Sequence, residues 1–152
     1  MILDERLELA DATALNTGAA GTYNIGDVID TRAASIDPNV LKDHEGAEMY
    51  LVVRVTTAAT SGGSATLQVR LVSDDTATPN TSTATVHATS PVIPLASLTA
   101  GATVLVTKLP SGSYERFIGV QQITGTAAFT AGAIDAFLVS DPALYRAYAD
   151  NV

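Results

Sequence analysis

The chain has 152 residues, the length of one domain rather than two, and a chain of this size buries roughly 68–70% of its unfolded surface on folding. Apolar residues make up 47% and charged residues only 16%, which excludes a disordered chain. Sixteen acidic against eight basic residues give a net charge of −8, which excludes a basic nucleic-acid-binding face, and the absence of cysteine excludes disulfides and thiolate metal sites.

In chain order, residues 1–21 read as an N-terminal arm. The opening MILDERLELAD carries Asp4, Glu5 and Glu8 and no apolar run, unlike a secretory leader. Ile2, Leu3, Leu7, Leu9 and Leu15 make it a short amphipathic piece, and Asn16–Gly21 (NTGAAG) reads as a flexible linker. A weak strand is predicted over Thr22–Asp30. The period-2 signal strengthens at Glu48–Thr56, where Met49, Leu51, Val53 and Val55 share one face and Tyr50, Val52, Arg54 and Thr56 the other. Thr60–Ser64 (TSGGS) is turn chemistry, and Ala65–Leu71 returns with Leu67, Val69 and Leu71 on one face, so the pair predicts a β-hairpin.

Residues 73–82 (SDDTATPNTS) are a polar turn in which Asp, Asn, Ser and Thr bond their own backbone. Short strands are predicted at 83–88 and 91–95, the second bounded by Pro91 and Pro94 and so suited to an edge or corner. Ala102–Leu109 and Tyr114–Thr124 follow, then a pair at Ala127–Ala131 and Ala133–Val139 with Gly132 as a bend or bulge. Asp141 as N-cap with Pro142 behind it predicts one or two helical turns in the tail, residues 141–152. Tyr145 and Tyr148 sit there, and aromatic residues in a terminal arm are candidate anchors. No stretch approaches the ~20 apolar residues of a membrane span. Alanine supplies much of the apolar share, so the expected core is thin and built from small side chains.

The expected fold is all-β, a single domain with about eight strands at 22–140 in a jelly-roll sandwich, flanked by the arm and the tail. Catalytic chemistry is sparse. His44, in Lys42-Asp43-His44-Glu45, reads as a solvated turn, because adjacent residues rarely converge on one metal ion. His87 alternates with Thr85 and Thr89 and is expected on an exposed face. Asp74, Asp75 and Asn80 lack the spacing of a calcium loop. No G-x-S-x-G, GxxxxGK[ST] or GxGxxG pattern occurs. No enzyme activity, cofactor or metal is expected.

Several segments in order along the chain resemble one family, the capsid cement (decoration) proteins of tailed bacteriophages, of the kind found on the Bordetella phage head. They are Met1-Ile2-Leu3-Asp4, Tyr50-Leu51-Val52-Val53 with Thr60–Thr66, Ile93–Gly101, Leu109-Pro110-Ser111-Gly112, Arg116-Phe117-Ile118, Phe129–Ile134 and Ala136–Val139. The Leu41–Glu48 loop and the Asp141–Val152 tail depart from the pattern. The resemblance implies a jelly roll on the outer surface of the virion, made in the host cytoplasm and bridging major capsid protein subunits. It also implies a homodimer or homotrimer, with no nucleic-acid or membrane partner. The candidate contact residues are Ile2, Leu3, Leu7 and Leu9 in the arm and Leu144, Tyr145 and Tyr148 in the tail. The main alternative is a carbohydrate-binding or host-adhesion sandwich, which the few aromatics and the absence of tryptophan disfavour. A cupin-type metalloenzyme on the same fold would need more histidine than His44 and His87 supply.

Overall fold

A computed structural model describes residues 7–31 and 48–145, the last two of these by backbone alone. Among them are nine strands: β1 Glu8–Ala14, β2 Gly21–Asp30, β3 Tyr50–Ser61, β4 Thr66–Asp74, β5 Thr85–Thr89, β6 Ile93–Pro94, β7 Thr103–Lys108, β8 Phe117–Gly125 and β9 Phe129–Val139. Single 3-10 turns span Leu95–Ser97 and Pro142–Tyr145. The strands form two antiparallel sheets, one in the order β1-β9-β3-β7 and the other in the order β2-β8-β4-β5, with the short β6 also pairing to β4.

Laid side by side, the two orders set β1 opposite β2, β9 opposite β8, β3 opposite β4 and β7 opposite β5. A ribbon of sequence neighbours rolled up in this way is the jelly roll the strand count had suggested. The hairpin signal at Gly62-Gly63 is the turn between β3 and β4, which belong to different sheets. That connection is therefore a corner of the sandwich rather than a two-stranded ladder.

Alternation drives the packing. Leu51, Val53 and Val55 of β3 and Leu67, Val69 and Leu71 of β4 point inward and are buried, as predicted. The rest of the core is Leu9, Leu15, Ile25, Ile29, Leu98, Val104, Ile118, Val120, Phe129, Ile134 and Leu138, with few alanines among them. The core is thus built from large aliphatic side chains and phenylalanine, not the small ones expected. The alanines collect at exposed sites such as Ala19, Ala20, Ala58, Ala77, Ala96 and Ala100. A second, smaller cluster lies on the outer face of the four-stranded sheet, where Val52, Phe137 and Val139 are buried beside Tyr50.

Two further readings change. Residues 8–14, assigned to the arm, form β1 and pair with β9 from Glu8–Phe137 to Ala14–Ala133. The register slips twice on the way, and Ala12 sits at φ 41, so inward residues fall at irregular spacing and the period-2 pattern is hidden. At the other end of the chain, the predicted strand pair about Gly132 is one continuous strand. Gly132 adopts φ 136 inside it, and a Cβ there would lie 2.9 Å from both Ala59 Cα and Leu15 Cδ1.

Candidate functional site

Of the residues expected to make contacts, Leu9 is 0% exposed and belongs to the core, so it is withdrawn from that set. Leu7 is half-buried and packs against the same core. Leu144 and Tyr145 fall in the 3-10 turn, which begins as predicted, with the Ala143 amide donating to Asp141 Oδ1 at 2.9 Å. Ile2, Leu3 and Tyr148 lie outside the described residues, as does His44.

Residues 8, 30, 50, 108 and 139 share one end of the sandwich, as the registers Glu8–Phe137, Asp30–Phe117, Tyr50–Lys108 and Tyr50–Val139 require. Ion pairs close this end. Arg116 grips Asp30 with Nε and one terminal nitrogen, both at 2.9 Å, while its carbonyl accepts the Thr31 amide at 2.9 Å. Lys108 Nζ donates to Glu48 Oε1 at 2.7 Å, and that bond and charge hold the Glu48 carboxyl below its ordinary range. Both pairs are open to water, so each fixes geometry more than it adds stability.

Beside them is a polar cluster that no spacing in the sequence reveals, because its members come from β4, β5 and the segment before β8. Ser73 Oγ shares a 2.8 Å hydrogen bond with His87 Nε2 and accepts the Glu115 amide at 3.1 Å, with Glu115 Oε2 at 3.5 Å. The His87 ring stacks on Tyr114, centroids 3.9 Å apart. Burial pushes the His87 imidazole below its usual value, against the opposing charge of Glu115, and pushes the Tyr114 phenol up to about 12. The histidine expected on an exposed face is therefore half-buried. Ser73 is fully buried and the carboxylate stands on the serine side of the pair, not behind the imidazole as in a nucleophile triad. The cluster is built as a joint between an edge strand and a loop.

The turn at 75–84 is likewise fixed. Asp74 accepts the Thr76 amide on Oδ1 at 3.1 Å and the Asn80 amide on Oδ2 at 2.8 Å, and Asn80 Oδ1 accepts the Ser82 amide at 2.8 Å. Asp74, considered above for calcium, thus spends its carboxylate on its own loop, which holds the carboxyl below the ordinary range. Beneath the loop the Gln121 side chain, fully buried, accepts Arg70 Nε at 2.8 Å and donates to Asn24 Oδ1 at 2.7 Å, while Arg70 also donates to Thr81 O at 2.7 Å. On the other face of β8 the neighbouring Gln122 accepts the Asn16 amide at 2.8 Å and donates to the Asn16 carbonyl at 3.0 Å. Asn16–Gly21, expected as a flexible linker, is pinned at its first residue, and Tyr23 donates to Ala19 O at 2.7 Å.

The fourth feature is Asp135, buried on β9. It accepts Arg54 Nε at 2.9 Å and is 2.8 Å from a terminal Arg54 nitrogen, with its other oxygen accepting the Ala12 amide at 2.8 Å. Arg54 lies over Phe137, 5.7 Å from the ring centroid. One carboxylate thereby ties β9 to β3 and holds the bulge of β1.

These sites share one character: each ties strands or loops together by hydrogen bonds or ion pairs. No curated protein matches the chain. A family model covers most of its length, from the second residue of β1 to the penultimate residue of β9. The chain matches the Bbp16 model over residues 9–138 and belongs to the Bbp16 family, by its name a Bordetella phage protein family.

Proposed function

We propose that the protein is a virion structural protein, a capsid cement that bridges major capsid protein subunits on the outer surface of a tailed-phage head. Membership of the Bbp16 family carries the reading. The physics of the fold supports it. A small sandwich whose loops are fixed by their own hydrogen bonds loses little conformational freedom on binding, and many copies on a lattice multiply a modest contact through avidity. The protein works by burying surface, without catalysis or cofactor, and acts as a symmetric homo-oligomer on the shell after synthesis in the host cytoplasm. The shell contacts are assigned to Ile2 and Leu3 at one end of the chain and Leu144, Tyr145 and Tyr148 at the other.

The test is reconstitution. Purified protein is mixed with expanded, emptied heads that lack it and then sedimented. Saturable co-sedimentation is expected, together with a rise in the temperature at which the heads disrupt. Removal of residues 1–6 and 146–152 is expected to abolish attachment while the thermal transition of the free protein persists. Full-length protein left in the supernatant at every concentration would overturn the reading.

A further inference from the structure

Among the described residues four strands form the edges of the two sheets, and they differ in charge. The edges β1 and β2, which pack against each other, carry Glu8, Asp11, Asp27 and Asp30, and their ladders are broken by register shifts. Charge and irregularity of this kind keep an edge from pairing with another chain. The edges β5 and β7, on the other side, also carry one register shift each but far less charge: residues 76–107 contain no Asp, Glu, Lys or Arg, and Lys108, the last residue of β7, is the first charge after them. The large hydrophobic side chains exposed among the described residues are all here, Val86 at 44%, Val92 at 60% and Val106 at 47%. Among the described residues, two sheet edges, a charge-free run and the exposed valines coincide on one side of an otherwise acidic protein.

We infer that this side is where two copies of the chain meet, through antiparallel pairing of β7 with β7 about a two-fold axis at Val106. The inference rests on the reading above of the protein as a self-associating cement and names the surface that does it. A second copy is the occupant that the residues fit. A two-fold contact sets one residue against itself, and at net charge −8 most of the surface would then oppose like charges. Centred on Val106, the pairing sets Leu105 against Thr107 and Lys108 against Val104, so no charge meets its own copy. It also extends a row already present. Val106 lies opposite Val52, and Val52 opposite Phe137, on the outer face of the four-stranded sheet. The axis continues that row into the partner and buries both copies of Val106 as a cross-strand pair. Between Tyr50–Lys108 and Val53–Leu105 the β3–β7 register is unbroken, so the segment flanking the axis is regular strand.

Because Val106 faces itself, opposite charges placed there distinguish this pairing from other contacts. The mass in solution is measured by light scattering or sedimentation equilibrium for the wild type, Val106→Lys, Val106→Glu and an equal mixture of the two variants. The wild type is expected at twice 15.6 kDa, each variant alone at 15.6 kDa, and the mixture back at twice that mass. A wild type of one or three chains, or variants that both keep the wild-type mass, would overturn the inference. Hydrogen exchange on the wild type supplies a check that needs no variant: protection of the β7 amides that face away from β3 supports the pairing, and their rapid exchange refutes it. Co-sedimentation with heads is scored separately. A dimer that ignores heads sinks the cement reading and leaves the β7 pairing standing, whereas a monomer that coats heads does the reverse.

Discussion

Replacing Asp135 by alanine removes three hydrogen-bonded contacts at once, two from Arg54 and one from the Ala12 amide. Their costs differ. The Arg54 side chain is 41% exposed against 9% for Asp135, so the guanidinium turns to water and its share is at most about 1 kcal/mol. The Ala12 amide makes a part-buried bond to a charged acceptor. It sits in a bulge at φ 41, a conformation alanine adopts only when its surroundings compel it, and losing its acceptor costs about 1–3 kcal/mol. The sum is about 1–4 kcal/mol. For a domain of this length that is a fall of about 3–15 °C in the thermal midpoint, or a lower urea midpoint with unchanged slope, read at one fixed protein concentration. Asp135→Asn keeps an acceptor for Ala12 and gives up only the charge, so it is expected to cost about 1 kcal/mol or less. If the two variants lose the same stability, the bulge is not held by that oxygen and the reasoning fails.

His87 titrates below its ordinary value of 6.5 in the folded protein, because burial disfavours the cation, so the unfolded chain takes up the proton first. The stability it contributes is complete above 6.5 and is lost as pH falls through the folded value; His87→Gln is expected to flatten the thermal midpoint over that window, and an unchanged slope would count against the buried joint. At high pH, Tyr114, pushed up to about 12 by burial, is expected to ionise last in a spectrophotometric titration, while stability falls as pH rises from the ordinary 10 through that value; ionisation of all five tyrosines near 10 would contradict its stacked position. Gln122→Leu strips the Asn16 amide and carbonyl of their partner, with an expected loss of about 1–3 kcal/mol and faster hydrogen exchange at residues 16–18 than elsewhere. Gly132→Ala forces a Cβ against Ala59 and Leu15 at positive φ and is expected to cost about 2–4 kcal/mol, whereas Gly62→Ala, with open space around it, is expected to change stability by less than about 1 kcal/mol; similar values for the two would refute the packing argument.

The residues alone determined a good deal of this protein. Strict alternation at Leu51–Val55 and Leu67–Leu71, turn chemistry at 60–64 and 73–82, and the Asp141-Pro142 start of the tail turn were all readable because each depends on neighbours in the chain. Tertiary structure decided the rest. β1 was hidden because its bulges break the period that marks a strand, and only pairing with β9 makes those bulges tolerable. Pairing across the sandwich also made Leu9 a core residue and gave Asn16 its partner in Gln122. The Ser73–His87–Glu115 joint and the Arg54–Asp135–Ala12 clasp unite residues far apart in sequence, which no local pattern encodes. The charge-free run at 76–107 is visible in the sequence. That it supplies two sheet edges among the described strands is not, because an edge is defined by which strand lacks a neighbour, and only the folded sheet settles that.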